Sequence, residues 1–158
     1  MKNSIIVLAL LFSIHSIEAQ TNELNQVELI KQFVGKWECD AGRKTTYYCD
    51  NKPFGNGLDC AIQVVADGEI IDSVKQLIGY NSKSDRYEYI QIEKMSSLNE
   101  FNSLKFLTEH TGVILPLETS DSNVKMKFNF EIPDRVKFIA NLEHDIVVEM
   151  VYNRIKNQ

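Results

Sequence analysis

Between Val124 and Ile132 every second residue is apolar. Val124, Met126, Phe128, Phe130 and Ile132 alternate with Lys125, Lys127, Asn129 and Glu131. A period of two sorts these residues onto one dry and one wet face of a β-strand, whereas a helix would scatter them around its circumference. The pattern returns at Val136, Phe138, Ala140 and Leu142, and again at Ile146, Val148, Met150 and Tyr152. Facing residues of an antiparallel pair have a constant index sum, and only an even sum keeps both apolar faces together. Phe128 is therefore predicted opposite Phe138, with an odd number of residues in the connection at Ile132-Pro133-Asp134. Phe138 is predicted opposite Met150, across a three-residue loop at Glu143-His144-Asp145.

Upstream, shorter strands are predicted at Trp37–Cys39, Lys44–Asp50, Leu58–Ala66, Glu69–Gly79 and Arg86–Lys94, with weaker ones at Leu104–Thr108 and Gly112–Leu117. Asp67-Gly68 is a two-residue hairpin signal, because the favoured hairpin turn needs positive φ at both central positions. Asn81–Asp85 marks the next turn. One segment keeps a different period: Leu24, Val27, Ile30 and Val34 recur at spacings of three and four, which predicts a helix over Thr21–Val34. Short strands at this spacing, with no second helical segment and no linker, indicate one antiparallel sandwich or barrel.

The hairpin around Asp67-Gly68 carries a conflict. Leu58, Cys60, Ile62 and Val64 form an apolar row that a tight turn sets against Leu77, Lys75, Ser73 and Ile71. Sliding the register by one brings Asp72 and Gln76 inward instead. Either way polar side chains face the interior. A bulge, an edge or a doubly covered sheet accounts for this. So does a barrel with a cavity, in which a few polar groups orient a ligand inside an apolar wall. Arg86–Lys94 is similar, with Tyr87 and Tyr89 on one face and Ile90 and Ile92 on the other.

The first nineteen residues read as an address. Lys2 gives a short positive start, Ile5–Ile14 form an apolar run too short to span a bilayer comfortably, and small Ala19 marks a cleavage point. This is the layout of a secretory signal peptide, so residues 20–158 are expected to form one exported domain, periplasmic or secreted and soluble, with no membrane span after cleavage. Gln20 in place of cysteine offers no thiol for a lipid anchor. Seventeen Lys and Arg against 22 Asp and Glu give a net charge of −5, which provides no field to hold phosphate backbones and argues against nucleic acid as a partner.

Phe33-Val34-Gly35-Lys36-Trp37, a G-x-W opening to the first strand after a short helix, resembles the start of the lipocalin-like, or calycin, barrels. The resemblance implies that Gly35 and Trp37 close one end of a barrel and that Arg154, on the last strand, lies across the Trp37 ring. A narrower likeness rests on Lys52-Pro53-Phe54-Gly55-Asn56-Gly57, Lys75-Gln76-Leu77-Ile78-Gly79-Tyr80 and Asp85-Arg86-Tyr87. In this order they resemble small exported bacterial proteins of the lipocalin-like DUF1579 type, whose function is unknown. Together these likenesses imply an all-β fold: an antiparallel up-and-down barrel of about eight to ten strands with one short N-terminal helix. They bring no catalytic residues. The residues after Trp37, Glu38-Cys39-Asp40, depart from the longer glycine-rich stretch of haem-binding barrels, which counts against haem.

Chemistry-bearing motifs are few. Cys39, Cys49 and Cys60 form no C-x-x-C pair and have no nearby histidine, so neither zinc nor another metal or cofactor is expected. A Cys49–Cys60 disulfide across the Lys52–Gly57 turn is the favoured bridge. Cys39–Cys49, Cys39–Cys60 and three reduced thiols remain open. His110 and His144 sit in predicted loops beside Glu109 and Asp145, as solvated loop residues do. There is no G-x-S-x-G elbow and no phosphate-binding glycine loop, so no enzyme activity is expected. The candidate site is the inner face itself. Tyr47, Tyr89, Phe106, Phe128, Phe138 and Tyr152, with Met126, Met150 and the polar Asp72 and Gln76, would line a cavity for a small hydrophobic or amphipathic ligand. The aromatic residues would equally fill a solid core. In that case an outer face carrying Val147 and Val151 would serve as an interaction surface.

Overall fold

The computed structural model describes residues 24–96, 99–117, 124–141 and 147–156. The predicted leader lies outside these residues, as do Leu142, Ile146 and the Glu143-His144-Asp145 loop. Ten strands run in chain order: β1 Gly35–Gly42, β2 Thr45–Phe54, β3 Gly57–Ala66, β4 Glu69–Asn81, β5 Arg86–Glu93, β6 Asn99–Phe106, β7 Thr111–Pro116, β8 Lys125–Ile132, β9 Arg135–Asn141 and β10 Val147–Arg154. Each pairs antiparallel with its neighbour in sequence, and β1 pairs with β10 through Trp37↔Arg154 and Glu38↔Asn153. The result is a closed up-and-down barrel, consistent with a lipocalin-like fold, with no free sheet edge. Among the described residues no helix is long and apolar enough to cross a membrane.

Phe128 faces Phe138 and Phe138 faces Met150. The connection after Ile132 differs in form: Pro133-Asp134 is a two-residue turn, with Ile132 opposite Arg135, and the odd residue is absorbed as a bulge between Phe130 and Ile132. A bulge resolves the β3–β4 hairpin in the same way. Next to the turn Val65 faces Ile70, as the tight-turn register requires. Beyond it Val64 faces Asp72, Cys60 faces Gln76 and Leu58 faces Ile78. Ile71 is the extra residue, so the rows of Asp72 and Gln76 turn inward and the tight-turn pairing of Leu58 with Leu77 is not formed.

The helix is shorter than the apolar spacing predicts. A single α-turn at Gln26–Leu29 runs into a 3-10 turn at Ile30–Phe33. Asn25 starts it, its side chain accepting from the Glu28 amide at 3.2 Å. This segment closes one end of the barrel. Gln26 is buried, and its amide mimics a strand neighbour: Nε2 donates to Phe106 O at 3.0 Å while Oε1 accepts from Phe106 N at 2.9 Å. Phe33 O accepts from both Trp37 Nε1 (2.8 Å) and Asn51 Nδ2 (2.9 Å).

Arg154 ties the closure together. Its guanidinium lies 4.1 Å from the centroid of the Trp37 ring. It also donates to Gln32 O at 2.9 Å, to Val34 O and to Asp134 Oδ1 at 3.1 Å. Gly35 has a φ of +115°, and a Cβ there would sit 2.8 Å from Arg154 Nη1. The glycine of the G-x-W opening is thus needed both for its backbone and for the space the arginine takes. Beneath this cap Phe33, Phe106, Phe128, Phe130 and Trp37 pack in tilted and edge-to-face pairs, with Phe106 and Phe128 centroids 5.0 Å apart. A side chain at Gly112 would strike Phe128, so β7 contributes bare backbone where the ring lies.

Candidate functional site

Above the aromatic cluster the inward rows separate and leave a cavity of about 300 Å³. Phe33 and Trp37 form part of its floor. One wall is apolar: Ile62 and Val74 on β3 and β4, Met126 on β8, Phe138 on β9, and Met150 and Tyr152 on β10. The other is a polar strip from β4 and β5, in which Gln76, Gln91 and Glu93 face the space. Gln76 Nε2 donates to Gln91 Oε1 at 2.6 Å. Gln91 Nε2 in turn donates to Glu93 Oε1 at 2.9 Å and to Glu100 Oε2, on β6, at 3.4 Å.

Of the ten residues expected to line a cavity, Tyr47, Gln76, Tyr89, Met126, Phe138, Met150 and Tyr152 do so. Three do not. Phe106 and Phe128 are wholly buried in the aromatic cluster below the cavity, where Phe33 descends between the strands and packs against both. Asp72 shares the inward row of Gln76 but lies nearer the open end, where its Oδ1 accepts from the Ser73 amide at 2.7 Å. Gln91 and Glu93 were not expected. They continue the β5 row of Tyr87 and Tyr89, and the tyrosine parity would have found them once that face was known to be the inner one.

The expected Cys49–Cys60 bridge is not formed: Cys39, Cys49 and Cys60 are free and buried. Register explains this. Cys49 faces Ile62 and Cys60 faces Asn51, so the two are diagonal rather than direct neighbours, at a separation long for a disulfide. Cys49 and Cys60 instead line the cavity as small apolar groups. Burial pushes both thiols up to about 12. Burial likewise raises the Tyr89 and Tyr152 hydroxyls above the usual phenol range, with Glu100 adding to the rise at Tyr89 and Cys49 at Tyr152. These shifts mark a dry interior that favours neutral groups.

His110 is exposed on the β6–β7 connection at the helix end, far along the strands from the polar strip. His144 lies outside the described residues. Among the described residues no three His, Cys, Asp or Glu side chains are grouped so as to hold a metal ion. On the outer surface Leu77, Ile90 and Phe101 sit opposite one another across β4, β5 and β6, with Leu77 44% and Phe101 36% exposed. Val147 is exposed on β10, whereas Val151 is half-buried. No protein-family model matches the chain, and no curated protein is found similar to it.

Proposed function

We propose that this protein is a non-enzymatic carrier that holds one small hydrophobic or amphipathic molecule in the barrel, and that it is exported by its N-terminal segment, as the resemblance to small exported bacterial lipocalin-like proteins implies. The cavity carries the reading. At about 300 Å³ it is at the lower end of small-molecule pockets, roughly 300–1,000 Å³. Its apolar wall offers the area term of about 25 cal/mol per Å² that drives such binding, and its short polar strip supplies orientation. A closed barrel with a rigid aromatic floor also keeps the space open without a ligand, which lowers the ordering cost of binding.

The test uses the neutral, solvent-sensitive dye prodan. Saturable fluorescence enhancement at one dye per protein is expected, and Met150→Trp, which places extra volume in the cavity, is expected to weaken it by about tenfold or more. Absence of binding, or binding that ignores the Met150 substitution, would refute the interior site. A second reading is an interaction module using the Leu77–Ile90–Phe101 stripe, a contiguous apolar row on the outer surface. It predicts that Phe101→Lys abolishes self- or partner association and leaves dye binding unchanged.

A further inference from the structure

We propose that the cavity selects a cationic amphiphile, a small molecule with an ammonium head on the β4–β6 strip and an apolar body against Met126, Phe138 and Met150. This rests on the binding function proposed above and adds the sign of the ligand's charge.

The hydrogen-bond network sets the polarity of the strip. Two carboxylates, Glu93 and Glu100, both accept from Gln91 Nε2, which uses both protons of that amide. The Gln91 carbonyl is therefore turned toward Gln76, and Gln76 must donate to it. The groups left over are chiefly acceptors: the remaining carboxylate lone pairs and the Gln76 carbonyl. Among the described residues no Lys, Arg or His lines the cavity, and no cationic side chain forms an ion pair with Glu93 or Glu100. The lysines of this part of the sheet face outward; Lys75 pairs with Asp59 on the outer surface. Arg154, an inward-row cation, is at the opposite end and engaged by Trp37 and Asp134.

A second, independent observation points to a ligand group at this strip. Tyr89 lines the cavity and is 6% exposed, yet its hydroxyl has no hydrogen-bond partner among the described residues. Among the described residues every sealed side-chain nitrogen and oxygen is paired, so this unpaired oxygen opens onto the cavity. Tyr87, two residues earlier on the same row, is paired: its hydroxyl donates to Asn56 O at 2.9 Å, with Gln26 O at 3.2 Å. The Tyr89 oxygen is thus a free acceptor and donor beside an acceptor-rich strip.

The chemistry separates three kinds of head group. A carboxylate would stand against Glu93 and Glu100, and like charges in a partly dry site repel. A neutral hydroxyl forms hydrogen bonds without a charge contribution. An ammonium donates three charge-assisted bonds, about twice as strong as neutral ones, and offsets one of the strip's two negative charges at the same time.

The experiment is isothermal titration of the full protein at pH 7 and fixed ionic strength with octylamine, 1-octanol and octanoate, which share one tail. Octylamine is expected to bind at least about tenfold more tightly than 1-octanol, and octanoate the most weakly. In Glu93→Gln/Glu100→Gln the amine-to-alcohol ratio is expected to fall close to unity while 1-octanol changes by less than about threefold. If 1-octanol or octanoate matches octylamine on the unaltered protein, the charge selectivity is overturned and the interior carrier stands. An amine preference that survives the double substitution also overturns it. If none of the three binds, the carrier function fails and this proposal with it. The unaltered protein decides the main question even if the double variant does not fold.

Discussion

At the helix end the inward rows finish in Trp37, Phe106, Phe128 and Phe130, packed around Phe33 of the 3-10 turn, all buried. At the other end the same rows run out into Asp72, Gln76, Gln91, Glu93 and Glu100. Strand β5 shows the gradient in one stretch of chain: Tyr87 is fully buried and paired, Tyr89 is buried with its hydroxyl open to the cavity, and Gln91 and Glu93 belong to the polar strip. The difference teaches a division of labour. Closing one end with large rings and a hydrogen-bonded helix concentrates stability there. The rest of the interior can then remain open and carry a polar strip, at a cost the solid end offsets.

Neighbouring inward residues of β8 separate the packed end from the open end most sharply. Phe128→Ala removes a ring from the packed end and should cost about 3–5 kcal/mol. Met126→Ala, one step along the same row, should cost about 2 kcal/mol or less, since Met126 already borders empty volume. Urea unfolding followed by Trp37 fluorescence measures both. Equal losses would mean that the interior is uniformly packed in solution. Next in size is Arg154→Lys, which keeps the charge but loses the stack on Trp37 and the fork that reaches Gln32 and Asp134. A loss of about 2 kcal/mol is expected, and only the closed end should feel it.

Alkali probes the middle of the barrel. Cys49 and Cys60 titrate near 9 when unfolded and are pushed up to about 12 by burial in the fold. Between those values the unfolded chain has lost protons that the folded chain retains. Stability therefore falls as pH rises through this window, by about 1.4 kcal/mol per pH unit for each thiol. Denaturant midpoints from pH 8 to 11 should decline accordingly, and Cys49→Ala should flatten the decline. At pH 8 the native protein should resist iodoacetamide, whereas the unfolded protein should take up three equivalents.

Strong alternation made the facing of β8–β10 legible. Phe128, Phe138 and Met150 could be paired from index parity alone, because each β8–β10 strand has one unambiguous dry face. The G-x-W opening and Arg154 were legible by resemblance. The mouth was harder to read, for a physical reason. A strand that carries polar groups inward loses the contrast between its faces, so β6 was expected to begin at Leu104, whereas Asn102 and Ser103 are buried members of a strand that starts at Asn99. The β4 bulge at Ile71 left no composition signal and shifted the facing of the whole strand. Phe106 and Phe128 were misplaced because parity tells which side of a sheet a residue faces, not how far down the barrel it sits.

The smallest expected effect concerns the turns at the mouth. Two adjacent hairpins end there, linked by the Asp67 amide donating to Lys44 O at 3.3 Å. One uses Asp67-Gly68, with φ of 51° and 86°, the pair such a turn prefers. The other uses Arg43-Lys44, with φ of 50° and 61°, where Cβ atoms disfavour the left-handed region by about 1–2 kcal/mol per residue. Replacing Arg43-Lys44 with Asn-Gly relieves that strain. It removes the Lys44–Asp67 ion pair, which is exposed and contributes little, and the new glycine costs about 0.5–1 kcal/mol in unfolded-state freedom. The balance favours a gain of about 1 kcal/mol, or about 2–4 °C in Tm. Because the turn touches neither the cavity wall nor the aromatic floor, prodan binding should be unchanged. A gain in stability that also altered binding would show that the mouth is mechanically coupled to the cavity, and the division between a packed end and an open end would have to be redrawn.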